Sequence, residues 1–119
     1  MDVRSLAAAE PFVTADGSTI RELCGLPTGG TVNQSLAEAS LEPGQSTERH
    51  YHAETEEIYF VLEGEGDLEL DGEHARIAVG DAAPIPPGSW HELRNVGRGR
   101  LRILCCCTPP YRHEDTFFE

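Results

Sequence analysis

Glycine, proline, asparagine and aspartate interrupt this chain so often that a helix has almost nowhere to run. Only "SLAAAE", residues 5–10, has the composition of a helical turn, and Pro11 ends it. Between the interruptions lie short alternating or apolar runs: "STIREL", "VNQSLAEASL", "STERHYH", "EEIYFVLEG", "GDLELD", "EHARIAV", "AAPIP", "WHELRN" and "LRILCCC". Each reads as a strand. Asp71-Gly72 between two such runs signals a tight hairpin. Many short strands at regular turn spacing predict an all-β sandwich or barrel.

No repeat, linker or second domain interrupts the pattern, and 119 residues suffice for one modest core. The expectation is one domain over residues 1–119. Its core spans about 31–107, with an N-terminal strand segment at 12–24 and a tail at 108–119. Pro109-Pro110 cannot continue a central strand, so the tail is expected to run extended over the surface.

Charge narrows the function. The net charge of −12 argues against nucleic acid and against an anionic membrane face as partners. Every basic residue is Arg, so lysine Schiff-base chemistry is excluded. No apolar run approaches the roughly 18 residues that span a bilayer, and the first residues lack a signal-peptide core. The expected location is the cytoplasm.

Alternation along residues 56–63 puts Glu57, Tyr59 and Val61 on one face and Ile58, Phe60 and Leu62 on the other. Both faces are largely apolar, so both should be covered. A domain this small has few elements left for the outer face; a second copy would cover it, which predicts a homodimer.

Four cysteines, Cys24, Cys105, Cys106 and Cys107, do not make a disulfide framework. On a strand Cys106 faces away from its two neighbours, so the three cannot clasp one metal together. They read as small core residues in a reduced protein, or as one thiol at the mouth of a site.

The chemistry is concentrated in two stretches. In "RHYHAETEE" His50 and His52 lie two residues apart and share a strand face, from which both imidazoles can reach one metal ion. Glu57 follows after a short break. In "GDAAPIPPGSWHELRN" a stiff Pro86-Pro87-Gly88 turn precedes His91, and Asn95 closes the strand.

Together these stretches resemble the two motifs of the cupin family, in its small single-domain, RmlC-like forms often labelled mannose-6-phosphate isomerase-like. The first runs Gly44, His50, His52, Glu57, Gly64; the second runs Gly80, Pro86, Gly88, His91, Asn95. The resemblance implies a jelly-roll β-barrel (a double-stranded β-helix). It also implies that His50, His52, Glu57 and His91 hold one divalent metal ion. Three imidazoles and a carboxylate suit Fe, Mn, Co, Ni, Cu or Zn.

Other side chains are candidates for the site. Tyr59 shares a face with Glu57 and would offer a hydroxyl to a ligand, or pack in the core. Glu48 is in phase with His50 and His52, a candidate base. Arg102, beside Leu101 and Ile103, would clamp an anionic substrate or sit at a solvated edge. Gln34 is a candidate cavity residue. His74 and His113 read as exposed, and Glu54 and Glu56 as a solvated rim. The expected function is an enzyme, a dioxygenase or an isomerase/lyase, acting on a small polar metal-chelating molecule. The alternatives are a non-catalytic metal or small-molecule binding module and a barrel with a structural metal.

Overall fold

A computed structural model describes all of residues 1–119. It has eleven strands: β1 (Phe12–Val13), β2 (Thr19–Cys24), β3 (Ser35–Leu41), β4 (His50–His52), β5 (Glu56–Glu63), β6 (Glu65–Leu70), β7 (Glu73–Ala78), β8 (Ala82–Ile85), β9 (His91–Asn95), β10 (Leu101–Thr108) and β11 (Thr116–Phe118). Short 3₁₀ turns at Leu6–Ala8 and His113–Asp115 are the only helical elements. None is long and apolar enough to cross a membrane.

The strands form two antiparallel sheets of a jelly-roll barrel. One has the order β1-β2-β3-β10-β5-β8, the other β11-β4-β9-β6-β7. Period-two alternation sends Val61, Leu93, Leu101 and Ile103 between the sheets, where they are buried in one apolar core. The β6–β7 hairpin turns on Asp71 and Gly72, both at positive φ, which a two-residue turn of the primed kind requires.

Gly64 carries the chain from one sheet to the other between β5 and β6. Its φ is +83°, and a Cβ there would stand 2.6 Å from the Arg100 carbonyl oxygen. Both the conformation and the close backbone approach demand glycine. Asn95 is buried for its bonding: Nδ2 donates to the Leu41 and Gly99 carbonyls, and Oδ1 accepts the Gly97 N–H, all at 2.9 Å. It locks the turn between β9 and β10 to the end of β3.

The tail departs from expectation. It does not end in a free extended run. After the prolines it folds back through the His113–Asp115 turn, and β11 pairs antiparallel with β4, setting Thr116 opposite His52 and Phe118 opposite His50. A buried carboxylate anchors it: Asp115 accepts the backbone N–H groups of Glu54 and Thr55 at 3.0–3.2 Å. Phe117 adds an aromatic stack on Tyr51 at 5.1 Å.

Two predicted strands are also shorter than their patterns. Val32 and Gln34 are exposed and β3 begins at Ser35. In "STERHYH" only residues 50–52 form a strand. Thr47 instead reaches across to β9: its N–H donates to the Leu93 carbonyl and its hydroxyl accepts the Leu93 N–H.

Candidate metal centre

The strand period puts both β4 histidines inside the barrel, and the β4–β9 register sets His91 directly opposite His50. Glu57 arrives from β5 in the other sheet, so the four groups meet between the sheets. They are nearly inaccessible: His91 is 0%, His50 3%, His52 4% and Glu57 5% exposed. One ligand atom from each histidine lies within 4.8 Å of the others, which arranges His50, His52 and His91 to hold a metal ion. Glu57 Oε1 lies 3.4 Å from His52 Nε2 and 3.6 Å from His91 Nε2.

Hydrogen bonding decides which ring nitrogen faces the centre. His50 Nδ1 sits 2.7 Å from the Glu48 carbonyl, and His91 Nδ1 sits 2.9 Å from the Ser89 carbonyl. A carbonyl only accepts, so Nδ1 carries the hydrogen and a neutral ring turns a bare Nε2 inward. His52 Nδ1 lies 3.1 Å from the Thr116 hydroxyl. That hydroxyl donates to the Arg112 carbonyl, so it can only accept from His52. All three imidazoles are thereby set in one tautomer with Nε2 free.

Glu57 is oriented in the same way. The Cys107 thiol donates to Oε2 at 3.3 Å. Ser35, the β3 residue opposite Cys107, accepts the Tyr111 N–H on its hydroxyl at 2.9 Å. Oε1 is left over. Glu57 Oε1 and His91 Nε2 are the buried side-chain polar atoms without a hydrogen-bond partner. Two adjacent buried acceptors without partners are an arrangement that a bound cation would satisfy.

The electrostatics agree. Burial works to raise the Glu57 carboxyl, but the adjacent His52 and His91 rings outweigh it and hold it well below the usual carboxylate range. Burial lowers His50, helped by the neighbouring His91. Burial also opposes a charged His52, yet Glu57 prevails and raises it. The buried carboxylate calls for positive charge at this point.

The Tyr59 side chain is 4% exposed and lines the adjoining cavity. Burial first and the Glu57 charge second push its hydroxyl well above its ordinary range, so it stays protonated. The same two causes keep the Cys105 and Cys107 thiols protonated. The alternation predicted for the cysteines holds: Cys105 lines the cavity, Cys107 is buried on Glu57, and Cys106 is exposed on the opposite face.

Other candidates fall outside the site. The Glu48 side chain is exposed, because the strand begins only at His50 and the phase relation fails; its backbone carbonyl alone serves His50. Arg102 lies on the outer face of β10 and binds Glu38 at 2.6 Å, so it cannot clamp a ligand in the barrel. Gln34 is exposed, and its neighbour Ser35 takes the inward position. His74 is exposed and pairs with Asp67, and His113 is exposed as well.

Sequence reasoning missed Tyr111 and Thr116. The Tyr111 ring packs edge-on to His52 at 5.8 Å, and the Phe118 ring packs on His50 at 5.7 Å. No periodicity in the tail announces these contacts. It also missed Asp16, Glu22 and Ser35 in the cavity wall. Ser35 was findable, being in phase with the inward-facing Ala37, Ala39 and Leu41.

Comparison with known proteins places this geometry. The cupin domain family profile matches residues 37–107, which contain all four site residues. The chain is 48% identical over 107 residues to the uncharacterized protein MJ1618 of Methanocaldococcus jannaschii, covering 90% of this chain and 86% of that one. It is 35% identical over 69 residues to an oxalate-binding protein of Thermotoga maritima, covering 58% of this chain and 57% of that one. Among solved structures, the nucleoside dehydratase Pac13 of Streptomyces superposes with a TM-score of 0.81 at 15% identity, covering 100% of this chain and 91% of that one, which is a likeness of fold alone.

Proposed function

The chain belongs to the cupin family, and on that footing we propose that it is a metal-dependent enzyme acting on a small oxygen-chelating molecule. His50, His52, His91 and Glu57 hold one divalent transition metal ion in this reading. The observation that carries it is the pair of buried, partnerless acceptors, Glu57 Oε1 and His91 Nε2, beside two further Nε2 atoms set in the same tautomer. Such a donor set fits Fe, Mn, Co, Ni, Cu or Zn. The bound ion would supply Lewis acidity toward a substrate oxygen or, if it is iron, a centre for dioxygen chemistry.

The chain's own groups divide the remaining work. Cys107 turns Glu57 so that Oε1 faces the histidines. Tyr59, held protonated, donates a hydrogen bond or a proton to a ligand in the cavity and does not abstract one. Apolar walls at Leu93, Leu101 and Ile103 limit water near the reacting atoms. The reaction class is dioxygenase or isomerase/lyase. A second reading is a binding module without turnover; the Thermotoga relative is named for binding oxalate, which favours it.

We also propose a homodimer. Ile58 and Phe60 remain 42% and 38% exposed on the outer face of β5. Leu104 and Cys106 stand beside them on β10, so the apolar surface continues across two strands.

Untagged protein analysed by mass spectrometry should carry about one metal ion per chain. After Co(II) substitution, oxalate or acetylacetone should perturb the visible spectrum saturably. Full metal occupancy in His91→Ala protein would overturn the centre, and a Co(II) spectrum indifferent to every chelator would favour a structural metal.

A further inference from the structure

The cavity beside the centre is lined by acids and by no cationic Lys or Arg side chain. The chain has no Lys, and none of its Arg side chains reaches the lining. Arg102 is held outside by Glu38, Arg49 by Glu69 and Glu119, and Arg112 by Glu54. Asp16 and Glu22, by contrast, line it. Asp16 Oδ1 accepts from the Ser18 N–H at 2.9 Å and the Ser18 hydroxyl at 2.6 Å, which leaves Oδ2 available. Glu22 Oε1 accepts from Thr28 at 2.8 Å, which leaves Oε2 available. Tyr59, 4% exposed, stands in the same wall. Ala37, Ala39, Leu101 and Ile103 complete an apolar side.

Resting on the metal-centre reading above, we propose that the site selects molecules whose negative charge is confined to the metal-chelating end. The rest of the molecule is uncharged or cationic and carries hydrogen-bond donors, such as hydroxyl or amine groups, on a partly apolar body. Glu57 leaves a bound dication with net positive charge, enough to attract an anionic chelating head. A second anion further along the molecule meets two carboxylates and no cation. One uncompensated like charge about 7 Å away, at an effective dielectric constant near 20, weakens binding about 50-fold. Phosphorylated and distally carboxylated substrates are therefore rejected. Small hydroxylated or amino compounds with a single chelating head are accepted.

Hydroxamates test this, since one bidentate head can carry different tails. Dissociation constants would be read from the visible spectrum of the full-length Co(II) protein. The probes are butanohydroxamate, 4-hydroxybutanohydroxamate, 4-aminobutanohydroxamate and succinate monohydroxamate. The carboxylate-tailed probe should bind about 50-fold more weakly than butanohydroxamate. The hydroxyl and amine tails should bind at least as tightly as butanohydroxamate. In Glu22→Gln and in Asp16→Asn the penalty on the carboxylate tail should shrink several-fold. Asp16 also closes a turn on Ser18, so Glu22→Gln decides the matter if the other variant does not fold. Equal binding of carboxylate and alkyl tails, or a penalty unmoved in Glu22→Gln, overturns this inference and leaves the metal centre standing. A spectrum that responds to no hydroxamate overturns the metal-centre reading, and this inference with it.

Discussion

Cys107 faces Glu57 across the β10–β5 ladder, and its thiol donates to Oε2 of that carboxylate at 3.3 Å. The thiol takes one oxygen and leaves the other, Oε1, to the histidines. A residue two strand positions away, Cys105, shares the face but touches the cavity instead.

Cys107→Ala should therefore weaken metal binding about 10-fold, the scale of losing one supporting hydrogen bond behind a ligand. Cys107→Ser keeps a donor and should restore most of it. Zn(II) titration against a competing chelator measures both. Equal affinity in wild type and the alanine variant would show that the thiol only fills space.

Losing a ligand should be more severe. His50→Ala, His52→Ala and His91→Ala should each lower metal affinity well beyond the Cys107 variants, because the remaining donors lose their geometry as well. Glu57→Gln keeps an oxygen donor and should fall between. Metal content per chain after dialysis, by mass spectrometry, gives the order.

Asp115 should matter for stability. Asp115→Ala strips two backbone N–H groups, of Glu54 and Thr55, of their acceptor, for a loss of about 2–3 kcal/mol in urea unfolding. Burial works to raise this carboxyl, but the N–H groups of Thr55 and Glu54 prevail and lower it. Its contribution is thus fully present above its unfolded pKa, about 3.9, and is lost as pH falls through the lower folded value. Asp115→Asn should lack this component of acid sensitivity. Parallel stability curves for wild type and Asp115→Asn from pH 6 down to the acid transition would refute the assignment.

Phe60→Glu should dissociate the proposed dimer, since it puts a charge into the exposed apolar surface of β5 and β10. Light scattering should show two chains per particle for wild type and one for the variant. Monomeric wild type at working concentration would remove the dimer from the account.

Much of this centre was legible because a strand repeats every two residues. That period alone puts His50 with His52, Glu57 with Tyr59, and Cys106 apart from its neighbours. Asp71-Gly72 announced its own turn. What period two does not contain is where a strand begins, which face is inward, and which distant segment becomes its neighbour. Glu48 lost its phase because Thr47 bonds to β9 and β4 starts at His50. Arg102 sits on the outer face because its strand neighbours Leu101 and Ile103 are the ones packed inside. The tail reads as an exit after two prolines, yet Asp115 and the free edge of β4 draw it back to place Thr116 on His52 and Tyr111 on Ser35. Faces follow from local stereochemistry and are written along the chain. The partners of those faces follow from which buried groups find each other when the sheets close, and only the folded barrel decides that.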